Sequence, residues 1–397
     1  MNRHEISAAR TATLLVFAMN GTNFASWASR IPEVKEILGL TPGALGLVLL
    51  AVSAGSVLGL PASGRLNHHF GPRVIVLLGV ASSVLGMLIA AFAVDAVASR
   101  SLLMVGLFFT GLGMGMWDVS MNLEGTAVER AEGRAIMPWF HAAFSGGTVV
   151  AALIGAGLSA AGVPVWLHLV CAQVIIAAVC VWQTMHFIPV AVEPETHEDG
   201  SLVRHRNAWF EPRTLLIGLV VLAAGFTEGT ANDWLAVALV EGHHLPHWAG
   251  VLGLAVFLTA MTTGRMLGTG LLDRHGRVPV LRVLLALAAA GCALVVWGGV
   301  VGGFVGAVLW GLGASLGFPV GMSAAADDPA RAAQRLSVVS TIGYMAFLGG
   351  PPLLGWLGDH VGVLHALLAV GVLLVIAFFL TPAMREPEGQ VVRATTD

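Results

Sequence analysis

The chain has 397 residues, of which 56% are hydrophobic and only 11% charged, with a mean hydropathy of +0.83. A chain this apolar is not built as a soluble domain; its main solvent is a lipid bilayer. The net charge of -3 and the scatter of basic residues through short polar segments exclude nucleic acid as a partner, and Cys171, Cys180 and Cys292 lack the spacing of a metal or redox site.

A spanning helix needs about 20 mostly apolar residues. Twelve such runs are predicted, near 11–29, 42–63, 72–94, 101–123, 136–159, 164–187, 214–238, 247–271, 279–298, 302–325, 334–357 and 361–381. The first follows Arg3 and Arg10 and has no small-residue cleavage pattern, so it is read as a retained span. It carries Asn20, Asn23 and Trp27, taken as candidate substrate contacts, and ends at Arg30, a candidate gate residue.

The fourth run contains GMGMWDVSMN, with Asp118 and Asn122. An Asp at the centre of a spanning helix costs about 2.5–3.5 kcal/mol on insertion scales, so it must face a cavity, a partner or water. Counting equal distances from the connection near residue 130 puts Asp118 and His141 of the fifth run at similar depth, where they can meet. A carboxylate–imidazole pair whose hydration changes with conformation can exchange a proton near neutrality. Asp118 is therefore read as a proton carrier, with His141 as its partner and Asn122 orienting it. The alternative is a neutral Asp118 whose hydrogen bond to Asn122 only fixes helix packing.

The polar segment VAVEPETHEDGSLVRHRNAWFEPR separates two halves, giving bundles at 1–190 and 214–397 joined by a linker at 191–213. The seventh run holds GFTEGTANDWLA. Glu228 and Asn232 share a helix face, while Asp233 lies about 140° from Glu228. Glu228 and Asn232, with Tyr344 of the eleventh run, are candidate substrate contacts, and Asp233 a gate residue pairing with Arg30. Arg265 in the eighth run either snorkels to the interface or is the counter-ion of Asp118, Glu228 or an anionic substrate. The His243, His244 and His247 cluster lacks the carboxylate or Cys that would complete a metal site. Trp166, Trp209, Trp248 and Trp356 are assigned to an interfacial belt.

Residues 111–113 (GLG) recur at 311–313, Gly155 and Gly162 recur as Gly355 and Gly362, and Trp27 is echoed by Trp234. The offset of 200 shared by the glycine-containing pairs marks a parallel repeat of two six-span bundles, which puts a substrate site between them near the midplane. With the N-terminus inside, sixteen of the twenty Lys and Arg residues fall in cytoplasmic segments and three outside, so both termini are expected to be cytoplasmic.

The segment TGLLDRHGR after the eighth run resembles the loop signature of the major facilitator superfamily, matching at Leu271, Asp273, Arg274, Gly276 and Arg277. GRLNHHFGPR after the second run matches at Gly64, Leu66 and Gly71, with His68 where the family has Asp. The resemblance covers essentially the whole chain. It implies an all-α membrane protein of twelve transmembrane helices in two pseudo-symmetric six-helix bundles. It also implies a gating role for Asp273, Arg274 and Arg277, with Asp273 facing Arg331 or Arg335 and His68 replacing the acid of the other loop. Asp118 and Asn122 resemble the acid-to-Asn pattern in the fourth span of the fucose-permease-like branch, which implies sugar:proton symport. The antiporter features of the fourth and fifth spans, an Arg and a Gly-Pro, are absent at Leu107 and in HAAFSGGTVVAALIGAGL.

The expectation is a secondary transporter that moves a small polar solute by alternating access, in symport with protons, across the inner membrane. The alternative is a proton-coupled efflux antiporter. An enzyme is not expected, nor a cofactor or metal; the partners are the solute, protons and the bilayer, and the protein is expected to be a monomer.

Overall fold

A computed structural model describes residues 3–134, 136–188, 208–328 and 331–386. Every regular element among them is helical, and they run in the order α1 (Arg3–Ala28), α2 (Ile31–Ile37), α3 (Pro42–Asp95), α4 (Arg100–Glu132), α5 (Met137–Ala160), α6 (Val165–Gln183), α7 (Pro212–His243), α8 (His247–His275), α9 (Arg277–Trp297), α10 (Gly299–Ala314), α11 (Gly317–Ala325), α12 (Ala332–Val361), α13 (Val363–Ala366) and α14 (Leu368–Leu380). Most of the predicted linker lies outside the described residues.

Ten helical segments among the described residues are long and apolar enough to cross a membrane. The difference from twelve has two causes. α1 spans 26 residues but its asparagines, threonines and charged first turn lower its hydropathy. α3 merges the second and third predicted spans: its 54 residues would reach about 80 Å as one rod, far beyond the roughly 30 Å hydrocarbon core. It is broken at Gly71, where φ 76° and ψ 162° belong to a region that essentially only glycine occupies.

The chain reverses there, as the packing on α4 proves. A Cβ on Gly55 would meet Phe108 O and one on Gly59 would meet Leu112 O, so the first half of α3 runs parallel to α4. Gly79 instead faces Gly113 and Gly86 faces Gly106, so the second half runs antiparallel. α4 serves both halves because residues two apart on a helix point about 200° away from each other. Gly111 approaches Val52 and Gly115 approaches Ser56 on one side; Gly106 and Gly113 approach Gly86 and Gly79 on the other. Hydrocarbon gives no hydrophobic drive for helix association, so such small residues let backbones touch and supply the packing energy.

The predicted repeat is visible in these details. Gly276 before α9 has φ 74° and ψ 169°, the same conformation as Gly71. Gly306 packs on Gly291 and Gly313 on Leu284, repeating in α9 and α10 the contacts of α3 with α4. Gly162 and Gly362 both have positive φ, 69° and 81°. Two predicted spans are interrupted: α10 and α11 replace the tenth, α13 and α14 the twelfth.

Two compact units emerge. The first comprises Met1–Gly200, Ala231–Leu258 and Pro351–Ala366; the second comprises Ser201–Thr230, Thr259–Gly350 and Leu367–Asp397. In the first, α1 crosses α5 where a Cβ on Gly21 would meet Phe144 O and one on Gly147 would meet Ala18 O, and Phe17 stacks on Phe140. The C-terminal part of α12 joins this unit through short contacts: Gly43 N donates to Asp359 Oδ1 at 3.0 Å, and Gly46 and Gly355 lie against Pro351 and Pro42.

The two kinds of glycine make opposite demands. Gly71→Ala meets open space and only backbone strain of about 1–3 kcal/mol, so it should fold with a lowered Tm in detergent. A Cβ at Gly113 would fall on the Gly79 carbonyl oxygen, so Gly113→Leu should give little monodisperse protein by size-exclusion chromatography. Equal recovery of the two variants would contradict this account.

Candidate functional site

Each spanning helix carries few polar side chains, and their partners decide what each can do. In the first unit Asn23 is fully buried: its Nδ2 donates to Ser83 Oγ at 2.8 Å and its Oδ1 accepts from Gln173 Nε2 at 3.0 Å. This ties α1 to α3 and α6, so Asn23 is a packing residue here and not the solute contact expected from its position. Asn20 is also buried, with Nδ2 on Met121 Sδ at 3.6 Å and Oδ1 without a partner among the described residues. The buried indole nitrogens of Trp27, Trp117 and Trp234 are likewise unpartnered there.

Arg30 does not pair with Asp233. It is fully buried, its Nε donates to His168 Nδ1 at 2.8 Å and its Nη1 binds Glu33, which also accepts from Ser159. A buried guanidinium takes the partners that its own connection offers, three residues away and on the adjoining α6. The polar contacts near it that sequence reading missed are Lys35 with Glu241, and His247 Nε2 with Glu36 at 2.7 Å. They line a cleft of about 280 Å³ with Pro32, Leu40 and Val240. Their separation of some two hundred positions along the chain leaves no local pattern to read.

Asp118 sits on α4 one helical turn beyond Gly115 and two beyond Gly111. Asn122 Nδ2 donates to the Asp118 backbone carbonyl at 2.8 Å, not to its carboxylate. His141 is exposed on α5 with its ring edge-on to Phe17, 5.5 Å between centroids. Among the described residues no hydrogen bond or ion pair joins the Asp118 carboxylate to His141 or to any other side chain. Two further acids of α4 cap neighbouring chain ends: buried Glu124 accepts from Ile188 N at 2.7 Å, and Glu129 accepts from Ile136 N and Met137 N at the start of α5.

In the second unit Glu228 and Arg265 form an ion pair, Arg265 Nη2 to Glu228 Oε2 at 2.7 Å, while Arg265 Nε donates to Ser315 O at 3.2 Å. This realises one of the alternatives open from sequence. Glycines admit the pair: Gly225 and Gly229 of α7 lie against the Ala346–Phe347 stretch of α12, and Gly264 of α8 lies against Ser315. Tyr344 on the same stretch packs its ring against Phe318 and Phe347 and is partly exposed. Asn232, one turn beyond Glu228 on α7 and belonging to the first unit, has a buried Oδ1 with no hydrogen-bond partner among the described residues.

The expected pairing of Asp273 with Arg331 or Arg335 is not formed. Arg331 and Arg335 bind Glu211, the latter at 2.8 Å through Nε, and Asp327 receives Arg213 at 2.6 Å and Arg277 at 2.7 Å. Asp273 and Arg274 lie in the last turn of α8, whereas Arg277, at the start of α9, is the residue of the loop signature that pairs with Asp327. Burial costs Glu211 solvation, but hydrogen bonds from Arg335 and Thr214 and the charges of Arg335 and Arg331 hold its carboxyl below the usual value. The stabilisation is present at neutral pH and lost as pH falls through that lowered value. His68 is exposed on α3, edge-on to His69. Trp166, Trp209, Trp248 and Trp356 are all exposed.

The family model for the Major Facilitator Superfamily matches residues 13–304 and 249–395. An uncharacterised MFS-type transporter of Yersinia pestis is 31% identical over 88% of this chain and 89% of its own length. Among solved structures, the nucleoside transporter NupG superposes with a TM-score of 0.75 at 13% identity, covering 95% of this chain and 98% of that one. The Escherichia coli fucose:proton symporter FucP does so with 0.66 at 18%, covering 97% and 100%. The last two likenesses concern the fold alone. The helical architecture, the match along the sequence and the full-length relative agree that this chain belongs to the Major Facilitator Superfamily, as a membrane secondary transporter of small molecules.

Proposed function

We propose that the protein is a proton-coupled symporter of a small polar solute, working as a monomer by alternating access of two six-helix bundles, 1–190 and 214–397, with both termini on the cytoplasmic side of the inner membrane. The observation that carries this reading is the Asp118 carboxylate: it lies in a spanning helix without a counter-charge among the described residues. A carboxylate so placed must either take a proton or be reached by water, and a group that alternates between those conditions as the cavity opens and closes carries protons across. His141 is near enough in sequence depth to receive the proton when α4 and α5 shift, and Asn122 holds the backbone turn from which Asp118 projects. Glu228, Asn232 and Tyr344 offer the solute acceptors and donors, and Arg277, Arg331 and Arg335 hold the helix ends that must separate during the cycle.

Fucose and a nucleoside, carried by the two structural neighbours, are the first probes. In proteoliposomes with an acid exterior, uptake of a transported probe should exceed that at equal pH. Asp118→Asn should abolish the pH-gradient dependence while leaving equilibrative exchange. Unchanged dependence on the gradient in Asp118→Asn would sink the assignment, and extrusion against inward protons would replace symport by efflux antiport.

A further inference from the structure

The Glu228–Arg265 pair is more open than a structural ion pair needs to be. Both residues lie well inside spanning helices, Glu228 seventeen residues into the 32 of α7 and Arg265 nineteen into the 29 of α8. Yet their side chains are 19% and 30% exposed. Only one guanidinium N–H edge is occupied by Glu228, and Nε is held by the Ser315 carbonyl. Glu228 Oε1 and Arg265 Nη1 have no partner among the described residues, and neither is a buried atom. Hydrocarbon would exclude such exposed charge, so these atoms face a hydrated space.

We propose that Arg265 is the anchor for the carboxylate of a monoanionic solute and that Glu228 is its built-in competitor. This rests on the proton-coupled reading above and narrows its solute to a carboxylate-bearing one. Arg265 is tethered at Nε by a backbone acceptor that does not titrate, so its outward edge stays aimed while its carboxylate partner changes. A planar guanidinium matches a carboxylate two oxygens at a time, and Glu228 already demonstrates the fit with one. When Glu228 is ionised the pair is neutral and an incoming anion gains little; when Glu228 takes a proton, the site becomes a single positive charge.

The charge count favours a monoanion. The other titratable groups within the spans around the pair are Asp233 on α7, Tyr344 on α12 and the thiol of Cys292 on α9. The rest stand toward helix ends: Arg213, Glu241 and His243 on α7, His247, Asp273, Arg274 and His275 on α8, Arg277 and Arg282 on α9, and Arg335, Asp359 and His360 on α12; α10 and α11 have none. No second cation of these elements lies beside Arg265 within the spans to neutralise a dianion. Binding of the solute and of the proton on Glu228 then favour each other, a reciprocal coupling.

The test uses the full chain in detergent with lactate and gluconate as probes and sorbitol as the neutral control, read by thermal stability and tryptophan fluorescence. Glu228→Gln, which keeps the partner of Arg265 neutral at every pH, should bind the two anions about tenfold more tightly than the wild type at pH 7, and sorbitol should cause no shift in either. Arg265→Gln alone leaves Glu228 unpaired and can fail to fold; the double variant Glu228→Gln with Arg265→Gln removes both charges and should ignore the anions. Absence of an anion response in Glu228→Gln, or its persistence in the double variant, overturns the proposal. Neither result touches the proton assignment, which is read separately by adding Asp118→Asn to the Glu228→Gln background and following gradient-driven uptake.

Discussion

A charge in hydrocarbon must have a partner, a proton or water, and that constraint orders the polar residues of this chain. Arg30 meets it by complete enclosure, held by His168 and Glu33. Glu228 and Arg265 meet it by pairing in a partly open place. Asp118 has no charged partner among the described residues and is not fully enclosed. On the proposed reading the three solutions correspond to three degrees of permitted change: Arg30 is fixed, the Glu228–Arg265 pair exchanges one carboxylate for another, and Asp118 exchanges only a proton.

For those groups to be held in place the helices must approach closely without hydrophobic drive, which is why glycine appears wherever α4 crosses α3 and wherever α10 crosses α9. The alternation of Gly111, Gly113 and Gly115 lets one helix serve two neighbours running in opposite directions. Trp117 and Asp118 follow directly on this stripe. Trp117 continues the Gly113 face and is wholly buried, whereas Asp118 lies on the Gly111 face one turn beyond Gly115, which approaches Ser56. The packing stripe and the chemistry are thus one continuous piece of helix.

The fold is largely legible in the sequence because it rests on local signals. Apolar length marks the spans, Gly71 and Gly276 mark the reversals through a conformation that other residues avoid, and the offset of 200 marks the repeat. The misreadings have a common physical cause. An Asn in a span needs a reason, and for Asn23 a solute is the local one; Ser83 and Gln173 supply a packing reason from positions 60 and 150 residues away. Asp273 is the acid that the loop signature offers to Arg331 and Arg335, yet Glu211, in the connection before α7, takes both. An ionic residue announces that it has a partner; it does not announce which one, because the choice among acids of the same membrane side is made by tertiary packing.

Glu228 shows where that ambiguity becomes informative. From sequence, Arg265 has three possible counter-ions, one of them an anionic solute, and the structure fills the place with Glu228. If the pair existed only to neutralise two charges, burying it in a fully bonded setting or replacing both residues by apolar ones would serve stability as well or better. Instead one oxygen and one nitrogen remain unbonded among the described residues and accessible. A pair retained in that condition gives up part of its stabilisation to keep a guanidinium edge available, the edge to which the proposed reading assigns the carboxylate of the solute.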